Sequence, residues 1–293
     1  MMAYYFWDNY SRRLGSRNFG DDINKWLLPN LFRSDLIDDP HVCIVGIGTL
    51  LDQAKMETLG SFRKKIIFST GAGYGPVPKD LDESWEIACV RGPRTADKLG
   101  ILQEKAITDG AVLTAEFMNI NKTTEKNSIV LIPHLNTGWR IGTELQNLCA
   151  DLGFNYLQPD AEPIKFVSEI ASARLVLTEA MHGAIIADTV RTPWICCNIL
   201  YHNMFKWQDW CDSMQIEYRA YRITPFAESR SPGVLRKISS VKNWALRRTL
   251  RKKLQDLAQE PPLLSDDDLF VKRKEALLAA AESINEAYKR GRY

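Results

Sequence analysis

Residues 41–49 read His-Val-Cys-Ile-Val-Gly-Ile-Gly-Thr, an apolar run rich in β-branched residues and closed by a glycine turn. Such a run predicts a strand buried on both faces rather than one side of an amphipathic helix. The pattern repeats on either side of it. Lys65-Ile-Ile-Phe-Ser69 leads into Thr70-Gly-Ala-Gly-Tyr-Gly75, Glu86-Ile-Ala-Cys-Val90 into Arg91-Gly-Pro-Arg-Thr95, and Ala106-Ile-Thr-Asp109 into Gly110. Farther on, Ile129-Val-Leu-Ile132 precedes Pro133-His134, Arg174-Leu-Val-Leu-Thr178 precedes Glu179, and Pro193-Trp-Ile-Cys-Cys197 follows. Short strands are also expected at Ala3–Trp7 and Phe154–Leu157. Between the strands lie helical patterns. Asp21 and Asp22 open one that carries Ile23, Trp26 and Leu27; others run from Arg140 to Leu152 and from Glu162 to Ala171, and one begins at Met181. Strands alternating with short helices predict an α/β fold with parallel sheets covered on both faces.

Residues 119–128 contain a single apolar side chain, Ile120, and read as a domain linker. The strand–helix pattern stands once before it and once after it, so two Rossmann-like domains facing a cleft are expected. The divisions are 1–125 and 126–215, followed by a basic helical extension, 216–293, with a final helix from about Val271 to Tyr288.

Composition excludes several classes. With 45% hydrophobic and 25% charged residues in 293, the chain is neither disordered nor collagen-like. A net charge of +2 says little about partners. There is no apolar run of membrane-spanning length, and the first residues lack a basic signal-peptide start, so a cytoplasmic location is the expectation. The six cysteines form no Cys-x-x-Cys pair and are expected as buried free thiols. No His-x-x-x-His or His-Glu-x-x-His occurs, so no metal site and no resident cofactor are expected.

Ligands of parallel sheets collect beyond the carboxyl ends of the strands. The polar residues there are Asp21, Gly48-Thr49, the Gly71–Gly75 turn, Arg91 and Arg94, Asp109, His134, and Glu179 with His182. Residue 51 is Leu, so Gly46-Ile-Gly48-Thr49 lacks the dinucleotide spacing; its amides could hold a phosphate or simply make a tight turn. Arg91 and Arg94 could clamp a carboxylate or phosphate, or cap a local carboxylate. His182 falls in the first turn of a helix, which suits a neutral imidazole. Gly183 after it admits a ligand or a neighbouring backbone. Trp194, Trp207 and Trp210 could wall a sugar site or belong to the core. Residues 201–210 read as a structured loop in which Asn203 and Lys206 could contact an anion.

Arg236 to Lys253 holds eight basic residues and no acidic one, with a partial apolar stripe of Ile238, Val241, Trp244, Leu250, Leu254 and Leu257. It reads as a solvated helix face, an attachment to anionic lipid or a protein contact. No aromatic-interleaved basic face supports nucleic acid.

At these same residues the chain resembles the polysaccharide pyruvyl transferase family. The matching pieces are Asn18-Phe-Gly-Asp21, Gly46-Ile-Gly-Thr49, Val90-Arg-Gly-Pro-Arg-Thr95, Pro133-His134 and Met181-His-Gly-Ala-Ile-Ile-Ala187, in that order. Two positions depart from the family's habit: Asp109 is followed by Gly110 rather than Pro, and Ala180 stands where Arg or Ser is frequent.

The resemblance implies a glycosyltransferase-B-like pair of domains. It implies phosphoenolpyruvate as donor, a sugar or lipid-linked oligosaccharide as acceptor, and a cyclic pyruvate ketal as product. Taken with the strand-end reading, the substrate-binding candidates are Asn18, Gly48, Thr49, Arg91, Arg94, Glu179, Gly183, Asn203 and Lys206. Asp21, His134 and His182 become the catalytic candidates; the roles of Asp21 and His134 as acid and base could be exchanged. The location then expected is cytoplasmic, with peripheral contact at the inner face of the cell membrane. The competing readings are a glycosyltransferase using a nucleotide-activated sugar and a non-catalytic scaffold.

Overall fold

The computed structural model describes residues 4–5, 18–78, 80–118, 127–223 and 240–293, for 4–5 and 240–247 by their backbone. The described chain divides into two compact units. The first takes residues up to 118 with 203–218 and 265–293; the second takes 127–202, 219–223 and 240–264.

The strands are β1 (Tyr4–Tyr5), β2 (Val42–Val45), β3 (Lys64–Thr70), β4 (Trp85–Val90), β5 (Ser128–Ile132), β6 (Asn155–Tyr156), β7 (Ala173–Thr178), β8 (Trp194–Asn198) and β9 (Ala220–Arg222). The helices are α1 (Phe19–Leu31), α2 (Ser34–Ile37), α3 (Gln53–Glu57), α4 (Pro93–Leu99), α5 (Thr114–Phe117), α6 (Leu135–Leu152), α7 (Pro163–Ala171), α8 (Met181–Thr189), α9 (Met204–Ser213), α10 (Ser240–Leu257) and α11 (Asp267–Lys289).

The first unit is built on a parallel sheet in the order β1-β2-β3-β4. All four residues of β2 are buried, as its unbroken apolar run requires. The expected strand at 106–109 is reduced to one parallel bridge, Ala106 to Val90. The segment 201–210, read as a loop, is corrected to a helix. Asn203 caps α9 by accepting the Lys206 N–H at 3.3 Å. Trp207, Trp210 and Cys211 recur at helical spacing and are buried. α11 closes the unit. Asn285 Nδ2 donates to the Leu31 carbonyl at 3.0 Å, and Asn285 Oδ1 accepts the Arg33 N–H at 3.0 Å.

The second unit holds a parallel sheet in the order β6-β5-β7-β8-β9. Strand order reverses between β5 and β7, because β6 lies on one side of β5 and β7 on the other. α10 covers this sheet. Its Leu250, Leu254 and Leu257 pack in one core with Leu145 and Leu148 of α6. That part of the expected apolar stripe is therefore core, while Arg251 and Lys252 are exposed. Ile238 lies outside the described residues, as do the side chains of Val241 and Trp244.

The expected domain divisions are redistributed accordingly. The 125/126 boundary falls outside the described residues, as does 119–126 of the expected linker; Ser128 already begins β5. The segment expected as one extension, 216–293, is shared between the units, and α9 and α11 join the first. All six cysteines are buried thiols outside any disulfide. Among the described residues no helix is long and apolar enough to cross a membrane.

Candidate active site

In the first unit the carboxyl ends of β2, β3 and β4 converge on α1 and α9. Asp21 stands in the first turn of α1, where Asn18 Nδ2 donates to its Oδ2 at 2.6 Å. Gly48, with φ +135°, turns the chain after β2 in a conformation that L side chains rarely adopt. A Cβ at Gly48 would lie only 3.7 Å from Asp21 Oδ1, so the loop runs directly against the carboxyl.

Burial pushes the Asp21 carboxyl up to about 7. Its bond from Asn18 and the ammonium groups of Lys206 and Lys55 oppose the rise without cancelling it. Both lysines converge on Tyr74. Lys206 Nζ donates to Tyr74 Oη at 2.9 Å, and Lys55 Nζ lies 5.4 Å from the ring centroid. The charge of Lys206 lowers the Tyr74 phenol below its usual range. Asn203, besides capping α9, donates from Nδ2 to the Gly73 carbonyl at 2.9 Å. The first unit thus gathers Asn18, Asp21, Gly48, Thr49, Asn203 and Lys206 of the expected residues. Tyr74 lies in the Gly71–Gly75 turn already noted after β3, although its own side chain was not singled out; Lys55 was missed because it sits on a helix and follows no strand.

Of the two roles expected for Arg91, the structure shows the bond to a protein carboxylate and not the ligand clamp. Its side chain is fully buried, and its guanidinium is committed to protein acceptors. Nε donates to Asp209 Oδ2 at 2.9 Å, Nη2 to the Ala72 carbonyl at 2.7 Å, and Nη1 to Thr49 Oγ1 at 3.2 Å and the Gly48 carbonyl at 3.4 Å. Asp209 also receives the Thr95 hydroxyl at 2.6 Å and the Thr95 N–H at 2.8 Å. Arg91 therefore shapes the Gly48-Thr49 turn and leaves no face toward a ligand. Arg94 is half-exposed and pairs with Asp212 at 2.6 Å. Asp109 caps a 3₁₀ turn through the Ala111 N–H at 3.0 Å; burial pushes its carboxyl up to about 6, against the pull of Arg91.

Trp207 and Trp210 are buried here, as Trp194 is in the second unit. Core packing, rather than a sugar-binding wall, is the role all three take.

The second unit places its groups at the point where strand order reverses, the position where open parallel sheets take ligands. Glu179, buried after β7, organises it. Its Oε2 accepts the His134 N–H at 2.9 Å. Its Oε1 accepts the N–H groups of Ile199, Leu200 and Tyr201 at 2.9, 2.6 and 2.7 Å. The loops after β5 and β8 are thereby fixed to the end of β7. Burial raises the Glu179 carboxyl, and the N–H groups it accepts pull it back. With these bonds made, Glu179 is a positioning group.

His134 caps α6 by accepting the Asn136 N–H on Nδ1 at 3.2 Å. A neutral ring in that role carries its proton on Nε2, so it is set up to donate. Its ring stacks on Tyr201 with centroids 5.4 Å apart. His182 is half-buried in the first turn of α8, as expected. Gly183 permits a close approach, but of the preceding strand: a Cβ there would lie 2.5 Å from Thr178 Oγ1. In the same unit a groove of about 770 Å³ runs between α6 and α7 over β6, lined by Gly142, Gln146, Asn155, Tyr156, Gln158 and Lys165 among others. Among the described residues no group of three or more His, Cys, Asp or Glu side chains could hold a metal.

Comparison with known proteins gives the family. The model of the polysaccharide pyruvyl transferase family matches residues 4–201. The succinoglycan biosynthesis protein ExoV of Rhizobium meliloti (strain 1021) is 34% identical over 227 residues, which cover 76% of this chain and 68% of that protein. A family match over more than half of the chain, joined to this relative, settles the assignment: the chain belongs to the polysaccharide pyruvyl transferase family of enzymes.

Proposed function

We propose that this enzyme takes phosphoenolpyruvate as donor and forms a cyclic pyruvate ketal on two hydroxyls of one sugar in a polysaccharide or lipid-linked oligosaccharide, releasing phosphate. We further propose that its two units are the Rossmann-like domains of a glycosyltransferase-B-like enzyme. The observation that carries the reading is the Asp21 carboxyl against the Gly48 turn, pushed up to about 7 by burial although Lys206 and Lys55 pull it down.

The proton balance shows why. The donor's methylene gains one proton and becomes a methyl group. Two sugar hydroxyls each lose one. The first of those protons replaces the one given to the methylene, and the second leaves with phosphate. A single group that is protonated at the start and can be reprotonated by the attacking hydroxyl therefore serves both carbon and oxygen. An acid near pH 7 is matched to that double task. Asp21 is assigned this shuttle, with Lys206 and Lys55 balancing charge as it ionises. In the second unit, the Nε2 proton of His134 and the positive end of the α8 dipole beside His182 stabilise the departing phosphate. Departure of phosphate leaves a cationic centre that water would capture, so exclusion of water is part of the task.

The acceptor is assigned to the groove between α6 and α7. Its volume is within the ~300–1,000 Å³ of ligand clefts, and its amide and phenol side chains suit sugar hydroxyls. The relative's name refers to succinoglycan biosynthesis, which favours an exopolysaccharide precursor. Attachment to anionic lipid at the inner face of the membrane, through the exposed Arg251 and Lys252 of α10, belongs to the same proposal.

Purified enzyme, phosphoenolpyruvate and a panel of oligosaccharide acceptors test the donor. Phosphate release should require both substrates, and mass spectrometry should show the acceptor heavier by one pyruvate less one water. Transfer from a nucleotide-activated sugar instead, with no release from phosphoenolpyruvate, would overturn the reading. Vesicle sedimentation tests the lipid contact, which requires stronger binding to anionic than to neutral vesicles.

A further inference from the structure

Arg140 lies in the early part of α6, exposed, with its Cζ 5.2 Å from the ring centroid of Tyr201. Among the described residues no carboxylate pairs with it. The Tyr201 ring that carries it also stacks on His134. The backbone of Tyr201 is anchored by its N–H bond to Glu179, two residues before Met181 opens α8. Arg140 is therefore a guanidinium with its charge uncommitted, held on an aromatic platform at the place where strand order reverses.

The helix around it departs from regularity. Ile141, the next residue, has φ −137° and ψ 22°, and α6 is interrupted there. Gly138 and Gly142 flank the interruption; glycine is a poor helix former, and such pairs are where helices break. The turn 135–140 thus follows the His134 loop, while the rest of α6 packs Leu145 and Leu148 into the core.

We propose that Arg140 is a donor-binding residue: its guanidinium takes an oxyanion of the donor, a carboxylate or a phosphate, with the Tyr201 ring fixing the plane of the fork. A planar guanidinium is preorganised for two parallel bonds to such a group, and stacking on a ring orients it without consuming its donors. It supplies in the second unit the cation that buried Arg91 does not supply in the first. The inference rests on the phosphoenolpyruvate reading for the identity of the donor, but not for the existence of the anion site.

Titration calorimetry of the full chain with inorganic phosphate and, separately, with pyruvate measures the site directly. Arg140→Ala should weaken at least one of the two by about 10–100-fold, the worth of a charge-assisted bidentate contact. Arg140→Lys should retain part of the affinity. Whichever probe responds identifies the oxyanion. In turnover, Arg140→Ala should raise KM for phosphoenolpyruvate by a similar factor while KM for the acceptor holds, a split that a general loss of packing would not produce. Unchanged binding of both probes in Arg140→Ala, with an unchanged melting temperature, overturns the proposal. If the wild-type chain binds phosphate or pyruvate through Arg140 yet turns over no phosphoenolpyruvate, the anion site stands and the donor assignment falls.

Discussion

Arg91 and Asp209 are 118 positions apart, yet they join through an Nε–Oδ2 bond of 2.9 Å with neither side chain exposed. Removing one member leaves the other buried and uncompensated. Asp209→Ala should therefore cost about 3–5 kcal/mol. Thermal unfolding reads this as a fall in Tm of roughly 10 °C for a chain of this size. A fall of under about 2 °C would mean that the guanidinium finds water or another carboxylate.

Asp21 makes stability and activity depend on pH in linked ways. Its folded value, about 7, lies above the ordinary 3.8. The stability it contributes is thus complete below about pH 4 and is lost as pH rises through about 7. Asp21→Asn should remove about 1–3 kcal/mol of pH dependence between those limits, after allowance for its partial exposure. The same variant should lose about 10²–10⁴-fold in kcat. Denaturant titrations at pH 5 and pH 8 check the first effect; a variant as pH-sensitive as the wild type contradicts it.

Lys206 pulls the Asp21 carboxyl down. Lys206→Ala should move it upward, so the alkaline limb of the pH–rate profile shifts to higher pH. A shift toward acid would reverse the assignment of the charge that faces Asp21.

Glu179 accepts four backbone N–H groups from two loops. In Glu179→Gln, an amide NH₂ must confront one of those donors. A loss of about 2–4 kcal/mol is expected, the scale of buried groups left unsatisfied. Hydrogen exchange should speed up selectively at His134 and 199–201; uniform protection there would refute this role.

The groove between α6 and α7 offers Gln146 and Asn155, both exposed. The double variant Gln146→Ala/Asn155→Ala should weaken oligosaccharide binding by about 5–50-fold, the loss of one or two modest hydrogen bonds. KM for phosphoenolpyruvate should not change. Equal effects on both substrates would place the acceptor elsewhere.

Most parallel strands were legible because they are unbroken apolar runs followed by a turn or a polar residue; β9 was not, because it is short and exposed at both ends. His182 at a helix start and His134 at a strand end could be read for the same reason. The Arg91–Asp209 pair could not be, since local sequence carries no signal for a partner so distant. That omission hid α9 as well: the buried Asp209 interrupts the apolar spacing of Trp207, Trp210 and Cys211, and the segment looks too polar for a packed helix. Arg140 and Tyr201 escaped because their importance comes from a ring contact between a helix and a loop, not from any motif.

The first unit draws Leu277, Ala281 and Ile284 from the final helix into its interior. During synthesis its sheet is made early but lacks that cover until residue 284 has left the ribosome. The second unit has all its described strands by residue 222 and its covering helix by residue 257. The order of completion therefore runs against the order of translation: the part begun first is finished last. A chain stalled near residue 264 would present a nearly mature second unit beside a first one still dependent on chaperones.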